Sequence, residues 1–165
     1  MTQKITLPNF AIMALRRLFL PMARERAPDV IIGGTDNPYL KRWHLTPKGN
    51  DEAVYLHHFL RSDDDRALHD HPWPSLGVIL EGFYIEHVPR NAILRVEGEV
   101  VVRAPEDAHR IELLRDNNGQ EIPVWTLFLV GKRIREWGFH CPKGWVHWRD
   151  FTAGAHGELV GRGCE

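Results

Sequence analysis

Ile12, Leu15, Phe19 and Met22 recur at three- and four-residue spacing, so the first ordered segment reads as an amphipathic helix with one apolar stripe. We place it over residues 9–20, with Asn9 as its cap and Pro21 just beyond it. The arginines at 16, 17, 24 and 26 would form a solvated face rather than a membrane anchor, because the stripe opposite them needs a protein surface to lie on. A Pro- and Gly-marked passage from Pro28 to Pro38 closes this segment, giving an N-terminal helical arm (residues 1–38) and a second domain (residues 39–165).

After Tyr39 the helical period disappears and short β-rich runs follow one another. The pattern predicts strands over Leu40 to Leu45, Ala53 to Arg61, Leu76 to His87, Ile93 to Ala104, His109 to Leu114, Val124 to Val130, Arg135 to Cys141 and Trp145 to Phe151. Turn chemistry separates them at Pro47-Lys48-Gly49-Asn50, Ser62-Asp63-Asp64-Asp65, Pro89-Arg90-Asn91 and Asp116-Asn117-Asn118-Gly119. Evenly spaced short strands with few helices indicate an all-β antiparallel barrel or sandwich.

With 165 residues the chain suits one core, and 43% hydrophobic with 26% charged residues is ordinary for a globular protein. Twenty-one Lys and Arg against 22 Asp and Glu give a net charge of −1, which argues against nucleic acid as a partner. The apolar stretch Phe10 to Leu20 is too short and too charged to span a bilayer, and no cleavable leader is evident, so the expected setting is cytoplasmic, without membrane attachment. Two cysteines, Cys141 and Cys164, predict neither a disulfide framework nor a four-thiolate zinc site. The ten histidines and six tryptophans are the unusual counts.

The sharpest local feature is Leu68-His69-Asp70-His71-Pro72-Trp73. On an extended strand residues i and i+2 stand about 7 Å apart on one face. His69 and His71 can therefore converge on one ion while Asp70 points away. Neutral imidazole suits iron, zinc, nickel, copper and manganese. The alternation in His109-Arg110-Ile111-Glu112-Leu113 sets His109 on the buried face with Ile111 and Leu113, where a histidine is either a hydrogen-bonded core residue or a ligand.

In this region the chain resembles the cupin family, over about residues 54 to 130. The family's first motif reads Gly, five residues, His-x-His, three or four residues, Glu, six residues, Gly; here His69, His71 and Gly82 fall in register, Ser75 stands at the Glu position and Asp63 at the leading Gly. The second motif reads Gly, five residues, Pro-x-Gly, two residues, His, three residues, Asn. Gly98 and His109 match its spacing, whereas the proline is displaced to Pro105, Glu106 replaces the inner Gly and Leu113 the Asn. Phe83 to Glu97 reads as the inter-motif hairpin. The resemblance implies a double-stranded β-helix, two antiparallel sheets closing a conical barrel or jelly roll, with a divalent transition metal held inside by His69, His71 and His109. Iron is the leading expectation, with nickel, zinc or manganese as alternatives. Pro142-Lys143-Gly144-Trp145-Val146-His147 is a rival second motif, which we rank below His109 because several strands would have to intervene.

Without the family's glutamate, three neutral imidazoles leave a divalent site at net charge +2 rather than +1. Such a site favours a small anionic ligand and resembles the three-histidine iron dioxygenases. Ser75 marks a centre that no longer binds metal, or one completed by water, or one completed by a carboxylate from elsewhere. Ser75, His58, Tyr84, Trp137 and His147 are candidate pocket residues, one of His57 and His58 facing inward and the aromatic segments serving as core or as a substrate wall. Two other functions fit the fold: a metal-independent isomerase or epimerase of the sugar-nucleotide type, with His71 or His109 as base and Tyr84 as acid, and a non-catalytic small-molecule-binding module. A homodimer formed through a sheet edge or the helix is a further expectation.

Overall fold

The computed structural model describes residues 5–49, 51–63, 67–154 and 159–165. Thirteen strands and two helices follow in the order β1 (Ile5–Thr6), α1 (Asn9–Glu25), β2 (Val30–Ile32), β3 (Leu40–His44), β4 (Ala53–Phe59), β5 (Leu68–His69), β6 (Ser75–Glu81), β7 (Phe83–Val88), β8 (Asn91–Val96), β9 (Glu99–Arg103), β10 (Arg110–Leu113), β11 (Val124–Val130), β12 (Gly138–Cys141), β13 (Gly144–His147) and α2 (Trp148–Phe151). All pairings among these strands are antiparallel. They form a seven-stranded sheet in the order β1-β9-β6-β11-β4-β3-β2 and two three-stranded sheets, β10-β7-β8 and β13-β12-β5. The expected barrel of two sheets is thus corrected to three sheets that do not close into one continuous hydrogen-bonded wall.

Two glycines carry the chain between sheets. The predicted run Leu76 to His87 breaks at Gly82, whose φ of +90° ends β6 and starts β7 in a different sheet. A side chain there would also stand 3.1 Å from the Pro123 carbonyl oxygen. Gly98, at φ +85°, likewise separates β8 from β9, where the pattern shows one run. At the other end, Trp145 to Phe151 divides into β13 and a helical turn, because the His147 ring accepts the Arg149 amide at 3.2 Å and caps α2. Asp116 accepts the amides of Asn118 and Gln120, as expected of its turn. Asn50, Asp64 and Asp65, assigned to turns from sequence, lie outside the described residues.

Alternation gives the seven-stranded sheet two distinct faces. Trp43, Leu56, Val78, Leu80 and Leu127 form one core layer, on which Ile12, Leu15, Phe19 and Met22 of α1 pack, so the helical stripe finds the surface it requires. Arg16 on the flank pairs with Glu81 and Glu97, at 2.5 and 3.0 Å. The helix departs from expectation at both ends: Pro8 rather than Asn9 occupies the cap position, with no side-chain cap bond, and Pro21 lies inside α1. A proline inside a helix costs about 3 kcal/mol, and here the neighbouring Leu20 is buried while Phe19, Met22 and Ala23 pack against the sheet. β1 and β2, from the arm, join the two edges of the same sheet.

The opposite face of the sheet holds Leu40, Phe59 and Ile79, which pack with Tyr84, Ile111, Leu113 and Val124. A third cluster, Ala67, Phe139, Trp148 and Phe151, seals one end. There Cys141 and Cys164 form a disulfide, a pairing the sequence reading did not anticipate, and this single cross-link ties the C-terminal segment to β12. No helix among the described residues is long and apolar enough to cross a membrane.

Candidate metal centre

Two backbone hydrogen bonds assemble the centre. His69 N donates to His109 O at 2.8 Å and His109 N to His69 O at 2.9 Å, which draws the segment before β10 against β5. His71, two residues on and beyond the end of β5, donates through its backbone N to Pro105 O at 2.9 Å. The three rings stand at the corners of a nearly equilateral triangle, with centroid separations of 5.2, 4.8 and 5.1 Å. Each offers one nitrogen, and these atoms lie within 4.8 Å of one another. The Nε2 atoms of His71 and His109 are 2.9 Å apart. Nitrogens bound at ~2.1 Å to a common ion stand roughly 3.0 Å apart when adjacent and roughly 4.2 Å when opposite, so the His71–His109 pair already has the spacing of adjacent ligands, and the widest separation has to close by about 0.6 Å or more for the third ring to join them.

No protein family matches the sequence as a profile, and no curated protein matches it. Solved structures do match. DMSP lyase DddQ from Ruegeria pomeroyi DSS-3 aligns over 84% of this chain and 73% of its own at 18% identity, with a TM-score of 0.56. A cupin-2 domain protein from Rhodospirillum rubrum aligns over 64% and 70% at 14% identity and TM-score 0.49. A conserved protein with a double-stranded β-helix domain from Klebsiella pneumoniae aligns over 66% and 90% at 18% identity and TM-score 0.47. The likeness to DddQ is one of fold. At 18% identity it concerns the fold alone, and the chemistry of this chain has to be read from its own residues.

Its three histidines open onto a cavity of about 640 Å³, within the ~300–1,000 Å³ usual for small-molecule sites. Tyr84 and Trp137, both singled out from sequence, line it. The other candidates are placed elsewhere. His58 is on the α1 side of its sheet, stacked on Trp125 at 3.8 Å, and it is His57 that faces the cavity. His147 pairs with Glu136 at 2.9 Å besides capping α2, and takes no part in the cavity wall. Ser75 is buried at the start of β6, paired in register with Arg103 and Val130, and does not line the cavity. No carboxylate among the described residues joins the three rings.

A carboxylate does stand behind one ring. Glu86, fully buried on β7, approaches His109 Nδ1 at 3.2 Å with Oε1, while Arg95 Nε donates to its Oε2 at 2.7 Å and Arg103 clasps Oε1 from the other side. The Glu86 carboxylate facing Nδ1 favours a proton there, which leaves the Nε2 lone pair of His109 directed at the other two histidines, although Nδ1 makes no hydrogen bond of regular geometry. Burial alone would raise the pKa of Glu86, but the His109 contact and the Arg103 charge outweigh it and hold the carboxyl well below the ordinary range. Burial, then the Arg103 charge, pushes His109 down to about 3; burial also holds His71 well below its usual value and lowers His69. All three imidazoles are thereby kept neutral, the form that binds metal.

Asp70, between the two strand histidines, points away as the alternation requires. Its buried carboxylate accepts Gly138 N at 2.8 Å and Trp145 Nε1 at 3.0 Å, and faces Arg135 at 3.1 Å, so it fastens the β12–β13 hairpin under the centre. His140 also turns to Asp70, and its neighbour Cys141 is in the disulfide. Asp63 accepts the amide of Ile111 at 2.7 Å and so pins the strand just beyond His109. Glu86 was missed from sequence although a signal existed: it shares a strand face with Tyr84, two residues away, which had been assigned to the pocket.

Proposed function

We propose that this chain is a cupin and a metal-dependent enzyme that holds one divalent transition ion, iron foremost, on His69, His71 and His109, and acts on a small anionic molecule in an oxygen-dependent reaction. The observation that carries this is the convergence of three neutral ring nitrogens within 4.8 Å on the wall of a cavity, with no carboxylate in the group. Bound there, the ion would supply a Lewis-acid and redox centre of net charge +2 with coordination positions left for substrate and co-substrate. The chain's own residues supply the rest: Glu86 fixes the tautomer of His109, Asp70 holds the hairpin below the centre, and Phe128, Trp137 and Phe139 give the cavity a water-excluding wall.

Metal analysis of protein purified without an affinity tag tests this reading, together with oxygen uptake over a panel of small thiols and organic acids. About one equivalent of metal, lost in the His69→Gln/His71→Gln double variant, is the expected result. Less than about a tenth of an equivalent, unchanged in that variant, would overturn it. A second reading is supported by Tyr84, which lies buried in the same cavity bonded to Arg103, its pKa raised by burial so that the phenol keeps its proton. With neutral His71 or His109 as base, Tyr84 would serve as acid in a metal-independent isomerisation. Full turnover in the presence of a strong chelator distinguishes that case.

A further inference from the structure

Arg42 is a cation that the fold brings into the cavity with no counter-charge among the described residues. It sits at the centre of β3, between β2 and β4, and alternation sends Leu40 and Arg42 to the cavity face while Trp43 enters the core beneath α1. Its Nε donates to His57 Nε2 at 2.9 Å, and its guanidinium carbon lies 4.8 Å over the Tyr55 ring. Among the described residues no carboxylate pairs with it. The other arginines of the cavity wall differ: Arg103 is clasped to Glu86, Arg133 donates to Glu136 at 2.8 Å, Arg61 donates through Nε to the Asn37 carbonyl at 3.1 Å and lies over the Tyr39 ring, and Arg162 is exposed, donating to the Asp150 carbonyl.

A guanidinium carries five N–H donors in a planar fork, of which the His57 contact uses one. A cation taken from water into an apolar enclosure is costly unless an anion answers it. His57, kept neutral chiefly by its own burial, accepts a hydrogen bond but compensates no charge. If the position served packing alone, an apolar side chain of similar volume would fill it without that cost. The location is also informative. The His57 ring stacks on Phe128 at 5.2 Å, and Phe128 in turn lies 6.2 Å from His71, so one row of rings leads from the Arg42 head to the three-histidine centre.

We propose that Arg42 is the anchor of the cavity's ligand and that the ligand is a small organic carboxylate, its carboxylate paired with the Arg42 fork and its body laid along Phe128 toward His71. This deepens the functional reading above, resting on it only for what the far end of the ligand meets. Charge-assisted pairing of this kind, lost, weakens binding by about tenfold or more. His57 is then a positioning residue, which fixes the plane of the guanidinium through Nε and leaves the two terminal nitrogens for the ligand.

The test uses the full chain and four probes: propionate and succinate against their neutral amides, propionamide and succinamide, titrated by calorimetry and ligand-observed NMR. Wild type is expected to bind at least one acid about tenfold or more tighter than its amide. Arg42→Met should erase that preference while its metal content stays at the wild-type level, and Arg42→Lys should keep part of it. The His69→Gln/His71→Gln variant separates the two readings. There an Arg42-dependent preference for acid persists even if the metal assignment fails. Equal binding of acids and amides by wild type, no binding of either acid, or undiminished acid preference in Arg42→Met would overturn the proposal. So would a preference abolished by the double histidine variant and retained in Arg42→Met, because the histidine centre alone would then be the anion receptor.

Discussion

Glu86 touches three partners of positive or proton-donating character, and this makes it the residue whose replacement says most about the centre. Glu86→Gln keeps the shape but leaves Arg95 and Arg103 facing a neutral amide and removes the negative charge that faces His109 Nδ1. We expect metal affinity, measured by competition with a chromophoric chelator, to fall roughly 10- to 100-fold. His58 provides a prediction away from the centre. Burial against Trp125, with a further push from Lys41, lowers its pKa from 6.5 to about 4. Since the folded value is depressed, the unfolded chain binds the proton first as pH falls, so this contribution to stability is full above about 6.5 and drains away toward 4. His58→Phe, able to keep the ring stack, should show a flatter urea-denaturation stability between pH 6.5 and 4 than wild type. The histidine triad was legible in the sequence because His-x-His and the apolar alternation at His109 are local patterns. The choice between His57 and His58 was not, since both faces of β4 are buried, one beneath α1 and one against the cavity.

At the scale of elements, the periodic segments were placed well and their ends poorly. The stripe of α1 defines the face that packs, whereas the passage of the helix through Pro21 is decided by the sheet surface waiting for Met22 and Ala23. The runs on either side of Gly82 and Gly98 look continuous in hydrophobicity, and only the left-handed backbone at each glycine divides them between sheets. The Cys141–Cys164 link joins elements that no spacing rule connects. It closes a loop with a sequence separation of 23, for which chain entropy suggests a contribution of about 3 kcal/mol. Cys164→Ser should therefore melt lower than wild type in non-reducing buffer, and a saturating dithiol should bring wild type down to the variant while leaving the variant unmoved. Disulfides rarely persist in a reducing cytosol, so the same comparison bears on the cytoplasmic setting expected from sequence.

For the molecule as a whole, the open arrangement of three sheets sets a cavity between a seven-stranded wall and an aromatic end cluster, with the histidines on its lining. Ligation across β5, the following loop and the segment before β10 would tie two of those sheets together, so metal should act on global stability. An ion present at a hundred times its dissociation constant adds about 2.7 kcal/mol, which in a chain of this size raises the melting temperature by roughly 5–10 °C. Calorimetric scans of chelated and reloaded protein measure it, and the His69→Gln/His71→Gln variant should show no such shift.

What the sequence determined by itself was whatever a few neighbouring residues can express: the helical stripe, the strand alternation, the turns at Asp116 and the glycines, and the spacing of His69 with His71. These follow from backbone geometry with periods of 3.6 and 2, which needs no knowledge of the partner surface. The tertiary structure alone decided that Glu86 stands behind His109, that His57 rather than His58 faces inward, that Arg42 reaches the cavity, and that Cys141 meets Cys164. Each depends on inter-strand register or on contacts between segments far apart in the chain, where a shift of one residue exchanges the buried and outward faces of a strand.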